Sequence, residues 1–130
     1  MSFLSKLFGL FMHSPPRVSV QTESYIKKDW EQIEIMLKGG QPSQLKQALI
    51  MADKSVDNAL RDLVIGNTMG ERLKAAKDLY PDWAVYDKVW KAHKIRNSMI
   101  HESGYEPPHY VLKEAIENLR KGLKVIGVYV

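Results

Sequence analysis

Cysteine is absent from this 130-residue chain. The absence excludes disulfide bonds and metal sites built on thiolates, and it is typical of proteins in a reducing compartment, so we expect a cytoplasmic location. Glycine-rich phosphate-binding loops and zinc-binding motifs are also missing. The sequence therefore predicts no cofactor and no bound metal.

Long hydrophobic runs are lacking as well, since no stretch approaches the roughly 20 apolar residues that cross a bilayer. A short apolar segment does occupy residues 1–13, where Lys6 is the only lysine or arginine. It has neither a clearly basic start nor a small-residue cleavage site, which argues against a signal peptide. Three alternatives stay open for it: packing on the core or on a partner subunit, a weak peripheral membrane contact, or a frayed terminus.

The chain also has no large net charge of either sign. The formal net charge is +4, with a pI near 9.2. Such a mild basic excess helps a protein to approach nucleic acid or an anionic membrane without identifying either as a partner. With 45% hydrophobic and 26% charged residues, the chain is long enough for one globular domain with one core.

The spacing of apolar residues predicts an all-α fold, an antiparallel bundle of four or five helices with short connections. The sequence Thr68-Met69-Gly70-Glu71 matches a capping box, in which Thr68 bonds the backbone of Glu71 and Glu71 reaches back to Thr68. The predicted helices cover about residues 23–37, 43–65, 69–79, 83–102 and 108–126. We expect the second of these, the longest, at the centre, and we divide the chain into an N-terminal segment with linker (1–21) and the bundle (22–130).

One predicted helix carries a charge in its apolar face. At about 100° per residue, Arg96 lies roughly 20° from Val85, close to the middle of that face. An arginine in an apolar face is costly unless something pairs with it. Either its stem packs while its charged head reaches water, or the face lines a cleft or subunit interface that contains an anion or a carboxylate. Asp53 and Asp57 lie four residues apart on the second predicted helix and could hold a cation. More often such a pair forms a solvated face, or one of them pairs with an arginine such as Arg96 or Arg72.

Three polar residues share one flank of the same helix: His93, Asn97 and His101. Neighbours four residues apart can touch, which links His93 to Asn97 and Asn97 to His101. Arg96 and His101 are five apart and point in different directions, so one helix does not easily bring them to one substrate atom. Two copies that meet across a two-fold axis could do so.

Arg96, Asn97 and His101 resemble the R-N-x-x-x-H signature of the HEPN superfamily, small helical bundles of which many are metal-independent endoribonucleases. The resemblance covers about residues 22–128. It implies a homodimer whose signature helices face each other across a composite cleft. In an RNA substrate, His101 would act on the 2′-OH or the leaving oxygen, Arg96 would stabilise the charge on the phosphate, and Asn97 would orient His101 or the phosphate. The products would be a 2′,3′-cyclic phosphate and a 5′-OH.

The resemblance leaves the biological setting open. A toxin with its antitoxin or another defence role is the first expectation. A non-catalytic interaction module, tethered by the N-terminal segment, and a nucleotide-binding partner of a nucleotidyltransferase are the alternatives.

His93, Glu102 and Asp53 are supporting candidates for the site, although an isolated histidine is more often a surface residue and Glu102 should face solvent. The tryptophans are expected in the core or an interface rather than as base-stacking platforms, since nothing in the sequence arranges them on an exposed sheet: Trp30, Trp83 and Trp90.

Overall fold

The computed structural model describes residues 16–130, and within that range the chain folds into five α-helices with no β-strand. This confirms the all-α class and the helix number. A short 3₁₀ turn, Lys77–Leu79, lies between the third and fourth helices. The α-helices are α1 (Val20–Gly39), α2 (Pro42–Leu63), α3 (Met69–Ala75), α4 (Trp83–His101) and α5 (His109–Val125).

The second helix, which the sequence predicts at the centre of the bundle, does lie there. α2 packs against α1 on one side and α5 on the other, and it also contacts α3 and α4. Because it is surrounded, its apolar stripe is excluded from water along its whole length. Its fully buried apolar residues are Leu45, Ala48, Leu49, Ala52, Val56, Ala59 and Leu60.

The bundle begins earlier than the sequence predicted. The linker was expected to continue to residue 21, but α1 starts at Val20 because Ser19 caps it, with its hydroxyl oxygen accepting from the Thr22 N–H at 3.1 Å. The Ser19 N–H also donates to the Asp62 carboxylate at 2.9 Å. At the other end α1 closes on Gly40, whose φ of 68° is the left-handed conformation that suits glycine.

The predicted capping box at α3 is half correct. The Thr68 hydroxyl oxygen accepts from the Glu71 N–H at 3.1 Å, as expected, but the Glu71 carboxylate accepts from the Asn67 N–H at 2.6 Å rather than from Thr68. α3 is then held on α2 by Arg72, which donates from Nε to the Asp57 Oδ1 at 2.6 Å and from Nη2 to the Asp57 Oδ2 at 3.0 Å. The pairing of Asp57 with Arg72 is therefore confirmed. That hydrogen bond also raises the pKa of Arg72.

Two further expectations concern membranes. No helix between residues 16 and 130 combines the length and the apolar character needed to cross a bilayer. The apolar N-terminal segment, residues 1–13, lies outside the described residues, so its three alternatives stay predictions.

Candidate functional site

A cavity of about 600 Å³ opens between α2, α3 and α4. Side chains from all three helices form its wall, and the short α3 provides one rim because the Asp57–Arg72 pair holds that helix in place. The residues around the cavity are Ile50, Asp53, Lys54, Asp57, Thr68, Met69, Gly70, Glu71, Lys74, Trp90, His93, Lys94, Arg96 and Asn97.

Asp53 and His93 form a buried pair at the inner wall. Asp53 is 3% exposed and His93 is 8% exposed, and both carboxylate oxygens lie 3.1 Å from the His93 Nδ1. Because a carboxylate accepts hydrogen bonds, this contact assigns the ring proton to Nδ1. His93 is thus a buried, oriented imidazole, where a lone histidine would by default be expected at the surface.

Asn97 joins His93 to Arg96. The His93 Nε2 is 3.3 Å from the Asn97 Nδ2, and the Asn97 Oδ1 accepts from the Arg96 Nη1 at 3.0 Å. The hydrogen bonds therefore all run the same way: Arg96 donates to Asn97, Asn97 donates to His93, and His93 donates to Asp53. Turning the Asn97 amide over would place donor against donor at Arg96 and acceptor against acceptor at the His93 Nε2, so this chain of hydrogen bonds fixes the orientation of the side-chain amide.

Arg96 contacts Asn97 and Asp53, but one of its hydrogen-bond donors has no partner among the described residues. Its Nε lies 3.7 Å from the Asp53 Oδ2, which confirms the predicted proximity of an arginine to one of the two aspartates. Yet this Nε is buried and has no hydrogen-bond partner among the described residues. The side chain is 30% exposed and lines the cavity. A fixed positive charge at the wall of a cavity suits an anionic ligand, since guanidinium geometry matches phosphate oxygens.

The other two predicted site residues lie apart from this cluster. His101 is the last residue of α4 and Glu102 is its C-cap; both are exposed, and neither lines the cavity. His101 is five residues beyond Arg96, roughly 7.5 Å along the helix axis. A single chain therefore brings together Arg96, Asn97, His93 and Asp53 and leaves His101 outside. Glu102 faces solvent, as expected.

The sequence analysis missed the aromatic and basic surroundings of the site. Trp30 is buried at 2% exposure, as predicted, but Trp83 is 61% exposed and the partly buried Trp90 lines the cavity. Placement in the core is therefore wrong for Trp83, whereas placement in an interface between chains stays a prediction. The sequence could have revealed that the two tryptophans lie beside the site. Trp83, Trp90 and Asn97 are spaced seven residues apart and so fall on one side of α4.

Within residues 16–130, no group of three or more His, Asp or Glu side chains is placed to hold a metal ion. Comparison with family models, with curated proteins and with solved structures found no match for this chain. The case for function therefore depends on the residues themselves.

Proposed function

We propose that this chain is a HEPN-type endoribonuclease that cleaves RNA without a metal ion and works as a homodimer. The observation that carries the proposal is the hydrogen-bonded chain from Arg96 through Asn97 and His93 to Asp53 at the wall of a cavity. Two signature residues, Arg96 and Asn97, are oriented there by buried partners. Oriented side chains are what a phosphate-handling site requires.

The chemistry needs little beyond proton transfer and charge stabilisation, because RNA carries its own nucleophile. The ribose 2′-oxygen attacks phosphorus as it loses its proton, the bond from phosphorus to the 5′-oxygen breaks, and the leaving oxygen receives a proton. The products are a 2′,3′-cyclic phosphate and a 5′-OH. In our proposal His101 transfers a proton, Arg96 stabilises the phosphorane charge, and Asn97 positions the phosphate.

The position of His101 supports the dimer in this proposal. It is exposed at the end of α4, outside the cavity that holds Arg96. A two-fold axis near the end of α4 would bring the His101 of one protomer towards the Arg96 of its partner. His93 and Asp53 then act as positioning residues, because they hold Asn97 rather than contact the substrate.

The ribonuclease proposal is tested with pure protein, RNA and EDTA. We expect cleavage that survives EDTA, leaves cyclic phosphate termini, and disappears in both Arg96→Ala and His101→Ala. His109→Ala is the matched control, since His109 is also an exposed histidine and begins α5. Absence of cleavage across varied RNAs by a well-folded dimer would contradict the proposal, as would equal activity of the His101 and His109 variants.

A second candidate is a non-catalytic HEPN-like module that binds a partner. The observation in its favour is that the single chain leaves His101 without a place in the hydrogen-bonded cluster. A larger complex or a membrane surface would then be the partner, and residues 1–14 would be the tether. Deletion of residues 1–14 should abolish assembly or localisation while the bundle stays folded; unchanged behaviour would eliminate the tether.

A further inference from the structure

A second cavity of about 500 Å³ adjoins the first along α4. The two share three lining residues, Lys74, Trp90 and Lys94, so they form one continuous depression on the same side of the bundle. We call it the tryptophan groove and define it by Trp83 at one end, Trp90 in the middle and Asn97 at the other. From Trp83 to Asn97 it extends roughly 21 Å along the helix axis.

Five residues of α4 form a stripe along this groove. Relative to Trp83, helical geometry places Trp90 at about −20°, Lys94 at about 20°, Asn97 at about −40° and His101 near 0°. The stripe therefore leads from an exposed indole, past a second indole, to Asn97 and towards His101. Arg96, at about −140°, lies off the stripe, but it lines the first cavity together with Asn97, so the groove reaches two of the three signature residues.

Each tryptophan has a lysine beside it. The Lys77 Nζ lies 5.8 Å from the Trp83 ring centroid, and the Lys94 Nζ lies 6.0 Å from the Trp90 ring centroid. Lys74 lines both cavities. This pairing of a flat apolar ring with a nearby ammonium is the combination that binds a nucleotide, because the base stacks on the ring while the phosphate meets the cation.

The charges of the groove favour an anion. In the described part of the chain, Lys74, Lys77 and Lys94 form no salt bridge. The groove contains four carboxylates. Asp87 pairs with Lys91 at 2.9 Å, whereas Glu71 accepts from the neutral Asn67 N–H and keeps its negative charge, one against the three lysines.

The remaining two carboxylates are engaged as well: Asp53 by His93 and Arg96, and Asp57 by Arg72 and Arg61. The uncompensated charge is therefore positive. A second copy centred on the tryptophans would bring these lysines against their own counterparts, which is electrostatically unfavourable, whereas the two-fold axis proposed near the end of α4 keeps the two sets of lysines farther apart.

We propose that the tryptophan groove binds single-stranded RNA, with bases stacked on Trp83 and Trp90 and phosphates against Lys74, Lys77 and Lys94. The inference rests on the proposed ribonuclease function and deepens it, because it names an unpaired strand as the substrate and gives the direction in which it approaches the site. Duplex RNA should bind more weakly, since its bases are not available for stacking.

The binding test uses a fluorescently labelled 2′-O-methyl oligonucleotide of about ten nucleotides, a length in the range of single-strand sites. The methyl group removes the nucleophile, so binding is measured without cleavage by fluorescence anisotropy in EDTA. Trp83→Ala should weaken binding roughly 5- to 150-fold, the loss of one base–aromatic contact, while Trp83→Phe keeps most of the affinity. Tyr25→Ala is the control, because Tyr25 is 58% exposed on α1 and lines neither cavity.

The electrostatic part is tested by the salt dependence of the same binding reaction. The double variant Lys74→Gln, Lys94→Gln should reduce the slope of log affinity against log salt by about 0.7 per lysine, or about 1.4 in all. Lys113→Gln with Lys121→Gln removes the same charge from exposed positions of α5, away from the groove, and should leave the slope nearly unchanged.

The outcomes separate this proposal from the ribonuclease proposal. Cleavage of RNA by the wild type together with unchanged probe affinity in Trp83→Ala would overturn the groove alone. Trp83-dependent binding of the probe without RNA cleavage would support the groove and count against catalysis. If Trp83→Ala weakens dimerisation and leaves probe affinity intact, the face belongs to a second copy, and the groove proposal is wrong. Failure of the folded wild type to bind the probe also overturns it.

Discussion

Arg96 lies on the face of α4 that otherwise packs against the core, where Val89 and Ala92 are almost fully buried. Such a position destabilises a fold unless a partner neutralises the charge. Here Asp53 comes from α2, which no pattern within α4 could reveal. The same carboxylate orients His93, so one buried aspartate organises three side chains of the candidate site.

The dependence of Arg96 and His93 on Asp53 predicts a large loss of stability for Asp53→Asn. The variant keeps the shape of the side chain but removes the negative charge, and we expect the free energy of unfolding to fall by about 2 kcal/mol. Urea denaturation measures it. Asp87→Asn is the control, since Asp87 forms only a partly exposed i,i+4 pair with Lys91 and should cost no more than about 0.5 kcal/mol. Equal losses in the two variants would refute the role of Asp53.

Tyr80 predicts a loss of stability in alkali. Burial raises the pKa of its phenol, with a smaller contribution from Tyr86, well above the value of about 10 expected in the unfolded chain. Above pH 10 the unfolded chain releases a proton that the folded chain retains, so stability falls as the pH rises and is unaffected below that range. Between pH 10 and 11 the wild type should lose about 1 kcal/mol more than Tyr80→Phe.

Denaturant titrations at the two pH values measure this difference. Tyr129→Phe is the control, because Tyr129 is 64% exposed and its removal should not alter the alkaline loss. If Tyr80→Phe loses stability as steeply as the wild type, the phenol of Tyr80 is not the group responsible.

At the scale of the helices, α4 and α5 approach closely at one glycine. A Cβ added to Gly122 would lie 2.5 Å from the Val89 Cγ2, which is closer than packed atoms allow. The Gly122 carbonyl also accepts from the Tyr80 hydroxyl at 3.3 Å. The contact fixes the distance between the helix that carries the signature residues and the helix behind it.

This close approach predicts that Gly122→Ala lowers stability in the wild type and raises it in a Val89→Ala background. In the wild type, Gly122→Ala should destabilise by about 1 kcal/mol, because overpacking against Val89 outweighs the better helix propensity of alanine. In a Val89→Ala background the clash is removed, so Gly122→Ala should stabilise by up to about 1 kcal/mol. Thermal or urea unfolding of the four proteins closes the cycle.

Gly70→Ala is the matched control for the cycle. A Cβ at Gly70 would meet Trp90 at 3.6 Å and the Thr68 Oγ1 at 3.8 Å, both ordinary contact distances. Its substitution should have the same effect with either residue at position 89. Destabilisation by Gly122→Ala that persists in the Val89→Ala background would contradict the proposed clash.

The helices themselves could largely be predicted from the sequence, since apolar residues at three- and four-residue spacing mark buried faces wherever they occur. The start of α1 was missed because it depends on a cap at Ser19 and on Asp62, which is distant in sequence. The burial of His93 was missed for a similar reason. Its position on a flank of α4 becomes interior only because α2 and α3 enclose that flank.

Trp83 is the opposite case, since it was expected in the core or an interface and is exposed on the single chain. Its large apolar ring suggests burial, whereas its angular position on α4 is opposite the apolar face and suggests exposure. In the structure the ring is exposed, as its position predicts. Residue type and helical position gave conflicting predictions, and position was the better guide because it determines which neighbours are available.

For the whole molecule, the separation of His101 from Arg96 makes a prediction about dimers. If each active site takes Arg96 from one protomer and His101 from its partner, neither Arg96→Ala nor His101→Ala is active alone. Subunits of the two variants mixed in equal amounts should recover about a quarter of wild-type activity, because half of the dimers are mixed and each mixed dimer has one complete site out of two. RNA cleavage in EDTA before and after subunit exchange measures it.

The control for this experiment is a mixture of His101→Ala with the double variant Arg96→Ala, His101→Ala, which has no complete site in any combination and should stay inactive. Recovery of activity in the first mixture alone would place Arg96 and His101 of one site on different chains. No recovery, although exchange is demonstrated by tagged subunits, would contradict this shared arrangement. A site that uses both residues of the same chain, or both copies of each residue at once, would give that result, because no mixed dimer would then contain a complete set.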